Sequence, residues 1–392
     1  MSSRREYLRF PPILRPPPDS SLQSTTNALP HPLEQTLGRS VSFQATRQLK
    51  HRWNWIKTVQ LSGRWSLLIL CVVTLCHCAS LRNPQNILND LGPRETRPLF
   101  WHVEGHEGTD LYIIGSIPLA PRKGWEYPAQ VEAAFKQAQA LVVEVDPNEL
   151  SQPLLAQMIQ VYGQLPPGQY LRNLLEPQTW SLLASELKES RLRVSAVNRM
   201  RPWLLSELLV LEQIRKSGYL AQGGAESYFI ARAGQRSIVP LESIQMQMAS
   251  LANLPLHTQQ LALLDTLRRS QKVPSEMQEL VNAWRAGDEK GLEQLTFQTL
   301  DHDEAFVPFF EAMVFQRNNR MQAQLEVLLN AKQHSGESVF VSIDVAHLIG
   351  KRGICQGLRK KGYQVTQIHG DEWPSFLAAA APVKESPLGI HP

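Results

Sequence analysis

The spacing of apolar and polar positions changes repeatedly along residues 98–370. Between the predicted strands, apolar residues recur at the period of an amphipathic helix. Pro240 indicates an edge strand, or a strand that ends at Val239, because proline cannot donate to a sheet. Short runs rich in β-branched residues predict five strands, at Leu111–Gly115, Ala140–Asp146, Ser237–Leu241, Val339–Ile343 and Gln364–Ile368.

Helical patterns separate these runs, and Ser275-Glu-Met-Gln278 resembles a capping box that opens a further helix. A strand, helix and strand at each end of the region predict parallel βαβ units. Residues 148–335 are mostly helical by pattern. We therefore expect an α/β fold with a small, mostly parallel sheet and a large helical insertion. The predicted helices are Tyr127–Gln139, Leu204–Lys216, Ala225–Ala233, Thr258–Ser270 and Asp303–Lys332.

An apolar run at residues 66–76 follows a basic flank and precedes small residues, which is the layout of a secretory signal. It is short for a membrane-spanning helix, which needs about 20 residues. Within residues 64–80 the alternatives are a cleaved signal peptide, a lipoprotein signal with Cys78 as the lipid-attachment residue, an uncleaved membrane anchor, or a buried core helix. Export to the periplasm or cell envelope is the expectation.

Residues 1–63 precede this segment, and their prolines and polar residues lack any apolar period. Such a composition predicts disorder. They represent either a cytoplasmic tail before an anchor, or a stretch upstream of the physiological start. Residues 371–392 are predicted to form a flexible tail, and residues 98–370 the α/β domain.

The net charge of +4 is concentrated at the N-terminus. Residues 1–64 hold ten Lys or Arg against three Asp or Glu, so the remainder has 30 against 33, a net charge of −3. A mildly acidic domain has no basic surface for nucleic acid, and this class of partner is excluded. After residue 80 the sequence keeps only Cys355, so that part forms no internal disulfide.

Ordered motifs, among them Leu111–Pro118, Val142–Asp146 and Phe340–Gly350, occur over residues 98–370. Together they resemble the TraB/PrgY/GumN family. The family's histidine motif, Gly-x-x-His, occurs twice, but here the first copy is Gly115-Ser-Ile-Pro118 and the second is Asp344-Val-Ala-His347. The first therefore lacks its histidine and the second its glycine. The motifs that carry the resemblance are Leu111–Pro118, Val131–Phe135, Val142–Asp146, Pro240–Glu242, Arg317-Asn318, Phe340–Gly350, Gly353 and Lys361–Val365.

Two carboxylates lie in the second predicted strand. Glu144 and Asp146 alternate with valines, which predicts that both point to one face. A carboxylate on a buried strand is costly unless it is paired or ligates a metal. Glu144 is therefore a candidate metal ligand or general base. For Asp146 the equal alternative is a cap on a helix that begins at Pro147.

Four more positions are candidates once the resemblance is included. His347 is a candidate metal ligand, general base or oxyanion donor, although a lone histidine after a strand is often structural. Asp344 either replaces a lost ligand or reflects drift after lost activity. Arg317 is a candidate carboxylate or substrate clamp, or else lies on a solvated helix face. Glu242, after the third strand, is a further motif candidate.

The resemblance implies a metal-dependent hydrolase, specifically a peptidase, with a weakened or lost catalytic site. Glu144, Arg317 and His347 are the catalytic candidates, and Glu144, Asp344 and His347 would supply the three protein ligands that catalytic zinc usually has. The metal's identity stays open. The alternative is a non-catalytic cell-envelope protein that binds a peptide, small molecule or partner. Convergence of Glu144, Arg317 and His347 within about 5 Å would indicate a retained site.

Overall fold

The computed structural model describes residues 95–105, 108–190, 192–221, 223–331 and 336–368. The predictions for residues 1–63, for the signal-like segment 64–80 with Cys78, and for residues 371–392 lie outside these ranges. Within the described ranges, no helix has the length and apolar character needed to cross a membrane.

A six-stranded sheet runs through the domain in the order β4-β3-β5-β2-β1-β6. The four strands β4, β3, β5 and β2 are parallel, whereas β1 is antiparallel to both β2 and β6. All five predicted strands are present, and β1 is an additional one. The strands are β1 (Phe100–Val103), β2 (Asp110–Ser116), β3 (Ala140–Val143), β4 (Ser237–Pro240), β5 (Ser338–Asp344) and β6 (Val365–Gln367).

Helices dominate the chain between β3 and β5, which confirms a mostly parallel sheet with a helical insertion. The α-helices are Ala129–Gln137, Gln152–Met158, Leu171–Leu174, Pro177–Glu189, Val194–Val197, Pro202–Lys216, Ala225–Ile230, Ile244–Ala252, Leu256–Arg269, Val273–Ala286, Glu289–His302, Val307–Phe310, Gln316–Leu329, Val345–Leu348 and Ile354–Lys360.

Two helix predictions were wrong in detail. Ser275 does not open a helix, since that helix begins at Val273 with proline in its first turn, and the Ser275 hydroxyl donates to the Lys272 carbonyl. The helix predicted at Asp303–Lys332 contains a 3₁₀ turn at Glu304–Phe306 and a π turn at Glu311–Phe315. A π turn adds one residue to the helical period, which no regular spacing of apolar residues can predict.

Apolar side chains of the sheet pack against the helices Ala129–Gln137 and Ala225–Ile230. The rings of Phe135, Phe229 and Phe340 meet there, with the Phe229 and Phe340 centroids 4.6 Å apart. This core fixes the parallel strands. β2 and β5 pair over seven residues, from Asp110 with Ser338 to Ser116 with Asp344. The carboxyl ends of the parallel strands therefore meet at one edge of the sheet.

Candidate functional site

Acidic side chains from three neighbouring strands meet at this edge. Glu144 follows β3, Glu242 follows β4, and Asp344 is the last residue of β5. The backbone N–H of Glu242 donates to the carbonyl of Glu144 at 2.9 Å, so β3 and β4 stay paired beyond their formal ends. The whole side chain of Glu144 is 1% exposed and that of Glu242 0%, which requires that their charges be compensated inside the protein.

Arg317 supplies this compensation from the helix Gln316–Leu329. Its Nε donates to Glu242 Oε2 at 2.7 Å, its Nη2 donates to Glu144 Oε1, and its Nη1 donates to the Met313 carbonyl at 3.1 Å. Burial by itself lowers the pKa of Arg317, but the two carboxylates outweigh it and raise that pKa above the ordinary value. The guanidinium of Arg317 therefore holds two of the protein's own carboxylates, and it does not lie on a solvated helix face.

Two further side chains complete the cluster. Arg320 donates to Glu242 Oε1 at 2.9 Å while 38% of its side chain stays exposed. Gln247 donates to Glu144 Oε1 at 2.7 Å from the helix Ile244–Ala252. Two guanidinium groups thus face two carboxylates. This balance of charge is what a buried ionic network needs in order to persist.

His347 is held by Asn318. The His347 Nδ1 lies 2.7 Å from Asn318 Oδ1, and Asn318 Nδ2 donates to the Arg352 carbonyl at 2.9 Å. Because the amide oxygen only accepts, this network assigns the proton to Nδ1. Burial first, and the Arg317 charge second, lower the pKa of His347 well below its usual value. The ring is therefore neutral, and its unprotonated Nε2 lies 3.9 Å from Glu144 Oε2.

Asp344 caps the short helix Val345–Leu348, since its Oδ1 accepts from the Ala346 N–H at 2.9 Å. Burial, followed by repulsion from Glu144, raises the pKa of Asp344 to about 8. Asp344 is thus mostly protonated at neutral pH. Asp344 Oδ2 and Glu144 Oε2 are both buried and have no hydrogen-bond partner within the described ranges.

The protonation of Asp344 should be visible in the pH dependence of stability. Its ordinary pKa is 3.8, so between about pH 4 and 8 the folded state holds a proton that the unfolded chain releases. The contribution of Asp344 to the free energy of unfolding therefore falls as pH rises, by up to about 1.4 kcal/mol per pH unit. Asp344→Asn keeps the cap acceptor and removes the titration. We expect its stability, relative to the natural protein, to increase from pH 5 to 8 in urea unfolding.

Asp146→Asn is the control for this measurement, because it makes the same chemical change at an exposed cap hydrogen bond. A pH-independent difference between Asp344→Asn and the natural protein would show that Asp344 is ionised in the folded state at neutral pH.

The donor atoms of the predicted metal site are incomplete. Glu144 Oε2 and His347 Nε2 face each other at a spacing that one ion could bridge. However, no three His, Cys, Asp or Glu side chains within the described ranges are placed to hold a metal ion together. The Arg317 guanidinium already binds the other oxygen of Glu144. Because a catalytic metal usually has three protein ligands and only two donor atoms of the described residues face each other here, the residues as arranged do not fit a catalytic metal.

The histidine motifs lie side by side on β2 and β5. Gly115 needs its small size, because a Cβ there would lie 2.9 Å from Val345 Cγ2. The Gly115 carbonyl also accepts from Trp284 Nε1 at 2.8 Å. Pro118 lies just beyond β2, and a Cβ on Gly224 would come within 3.1 Å of the Pro118 Cα. The turn is therefore closely packed around the residue that replaces the first histidine.

Asp146 does not join the cluster. Its Oδ1 accepts from the Asn148 N–H at 2.9 Å and caps the 3₁₀ turn Pro147–Glu149. The prediction that Asp146 and Glu144 share one face was wrong, because β3 ends at Val143 and strand alternation stops there. The capping alternative describes Asp146 correctly.

The sequence patterns did not identify every residue of the site. Gln247, Glu226 and Arg320 belong to it, and Glu226 Oε1 accepts from the N–H groups of Glu144 and Val145. Asn318 was noted only as part of a motif. The available signal for Gln247 was a polar residue in a largely apolar helix, which does not identify a partner 103 positions away.

Comparisons with known proteins agree with these motifs. The model of the TraB/PrgY/gumN family matches residues 99–367. An uncharacterized protein of Treponema pallidum is 25% identical over 248 residues, covering 58% of this chain and 70% of that protein. Uncharacterized protein YbaP of Escherichia coli is 22% identical over 252 residues, covering 64% of this chain and 88% of that protein.

A relative with a described activity is the protein named metalloprotease TIKI1 of Danio rerio. It is 21% identical over 311 residues, covering 65% of this chain. The chain spans only 60% of the length of that relative. No solved structure gives a significant match.

Proposed function

Because the chain belongs to the TraB/PrgY/gumN family, we propose that it is an exported, peptidase-related protein whose buried site hydrolyses peptides weakly or not at all. The similarity to a protein named as a metalloprotease supports the peptidase-related part. The fold supports it too, because the two histidine motifs lie on adjacent parallel strands.

The observation that carries the loss of activity is Pro118, which stands at the position of the first-motif histidine and has no side-chain atom that could bind a metal or transfer a proton. Arg317 and Gln247 occupy Oε1 of Glu144, and only Oε2 remains for chemistry. A metal-dependent hydrolase needs a cation at this position to activate water. In the described part of the chain, Glu144 Oε2 and His347 Nε2 are the two donor atoms that face each other here, one fewer than a catalytic zinc usually has. The site therefore keeps Glu144 and His347 but lacks the first-motif histidine.

A peptidase assay tests this proposal. The full-length chain and its Glu144→Gln variant would be incubated with a mixed peptide library, and the cleavage products measured by mass spectrometry. We expect the cleavage by both proteins to stay close to background, because hydrolysis at this site is weak or absent. Cleavage at ordinary enzymatic rates that disappears in Glu144→Gln would contradict the proposal. Circular dichroism would show that the variant is folded.

Export is a separate part of the proposal and rests on residues 64–80. Fusing residues 50–90 to a reporter that is active only outside the cytoplasm should give signal. Replacing two leucines of the apolar run, Leu67 and Leu68, by arginine should abolish that signal, because charge in this run blocks a signal sequence. A silent fusion of the natural segment would remove export from the proposal.

The alternative function, a non-catalytic envelope protein that binds a peptide or partner, is favoured by the burial of the cluster. The side chains of Glu144, Arg317 and His347 are each 1% exposed. A substrate cannot reach them without movement of the surrounding helices. This alternative predicts no cleavage in the same assay, together with measurable binding of a ligand elsewhere on the domain.

A further inference from the structure

A second concave site lies beside the segments that carry Arg317 and His347. The cavity has a volume of about 430 Å³, which is in the range of small-molecule sites. Its lining combines three apolar side chains, Phe297, Leu300 and Phe315, with three cationic ones, Lys290, Lys351 and Arg352. None of the buried cluster's charged side chains lines it, so this is a separate site.

Two aromatic rings contribute to the apolar part of the cavity. The rings of Phe297 and Phe315 are nearly parallel, with an interplanar angle of 18° and centroids 6.0 Å apart. The guanidinium of Arg352 lies 3.7 Å from the centroid of Phe315. Glu311 holds Arg352 with two hydrogen bonds, of which that from Nη2 to Oε2 is 3.0 Å long. A cation is therefore fixed beside an aromatic surface.

The charge of the lining is positive. Lys290 and Lys351 have no ion-pair partner within the described ranges, and Glu293 is the one carboxylate on the lining. Gly350 closes one wall with φ of +79°, and a Cβ there would lie 3.1 Å from Glu293 Oε1 and 3.3 Å from Phe297. Glu311 neutralises Arg352, so two lysines face the single carboxylate of Glu293, and this surplus of positive charge favours an anionic ligand. The two rings favour an apolar group attached to it.

We propose that this cavity binds a carboxylate joined to a flat apolar group. The C-terminal residue of a peptide that ends in an aromatic side chain has this chemistry, and so does a free aromatic carboxylic acid. The carboxylate pairs with Lys351, next to the Arg352–Glu311 pair, and the apolar group lies against Phe297 and Phe315. Asn318 connects the cavity to the buried cluster, because it bonds both the Arg352 carbonyl and His347. Binding here requires no hydrolysis.

Calorimetric titration of the full-length chain tests the ligand chemistry. The probes are N-acetylphenylalanine, the corresponding amide N-acetylphenylalaninamide, and a short peptide with a free C-terminal phenylalanine. We expect the acid to bind roughly tenfold more tightly than the amide, since one charge-assisted hydrogen bond is lost. Tighter binding of the peptide than of the small acid identifies a peptide C-terminus as the source, and the reverse identifies a free acid. Equal binding of acid and amide, or no binding at millimolar concentration, overturns the proposal.

Variants locate the binding. Lys351→Ala should weaken binding of the acid and leave binding of the amide unchanged. Lys361→Ala is the matched control, because it removes the same charge from an exposed lysine that does not line the cavity. Phe315→Leu should weaken acid and amide together, provided that circular dichroism shows a folded protein. If Lys351→Ala and Lys361→Ala bind the acid equally well, the ligand does not bind in this cavity and the proposal is wrong.

Discussion

Replacing Arg317 by methionine is expected to lower the free energy of unfolding by about 3–5 kcal/mol. The substitution keeps the volume of the side chain but removes the charge that compensates Glu144 and Glu242, both fully buried. An uncompensated buried carboxylate must either stay desolvated or take up a proton, and both cost folding energy. Urea unfolding of the two proteins at neutral pH measures the loss.

Arg352→Met is the matched control, because it removes another arginine that bonds a glutamate, but one whose side chain is half exposed. We expect a change within about 1 kcal/mol for this surface pair. Adding Glu144→Gln and Glu242→Gln to Arg317→Met should recover part of the lost stability, since no buried charge then remains from the three groups. A loss at Arg317 no larger than that at Arg352 would show that the cluster is open to water.

Restoring the family's two histidine motifs is expected to increase the affinity for a divalent metal by more than about tenfold, a change that even an outer-shell partner can produce. Pro118→His returns the missing histidine two residues after Ser116, the β2 residue that pairs with Asp344. Asp344→Gly returns the second motif to its family form and removes the side chain from the adjacent strand end. Titration with Zn²⁺ against a competing chelator measures the affinity of the single and double variants.

Pro118→Ala is the control for this gain, because it frees the backbone from proline without adding a ligand. The turn packs closely against Gly224, so the double variant needs a check of its stability. Equal metal affinity in the double variant and in Pro118→Ala would mean that the local turn has adapted to proline and that the site is not one ligand short.

Local sequence patterns were sufficient for most of the fold. β2 and β5 are each seven residues long and contain β-branched residues, so the sequence pattern predicted both strands correctly. β1, Phe100-Trp-His-Val103, is short and aromatic, and it is a strand because β2 and β6 pair with it on both sides. The π turn at Glu311–Phe315 was not predictable either, because its extra residue has no local signature.

In the site, too, local sequence identified individual residues but not the contacts between them. Glu144, Glu242, Arg317 and His347 were identified because each follows a strand or belongs to a motif. Their mutual pairing was not predictable, since it depends on the order of strands β4, β3 and β5 and on a helix that crosses their ends. Gln247 was missed for this reason. Asp146 was wrongly placed on the same face as Glu144, because β3 ends at Val143, earlier than its apolar run suggested.

The metal content of the natural protein tests the central claim most directly. The full-length chain, equilibrated with Zn²⁺ and then dialysed against buffer with a weak chelator, would be analysed by mass spectrometry for metal per protein. Our account predicts far less than one equivalent, because among the described residues only Glu144 and His347 face each other and the third ligand is missing. One tightly held equivalent that is lost in both Glu144→Gln and His347→Ala would contradict it, and would make Asp344 the first residue to test as the replacement ligand.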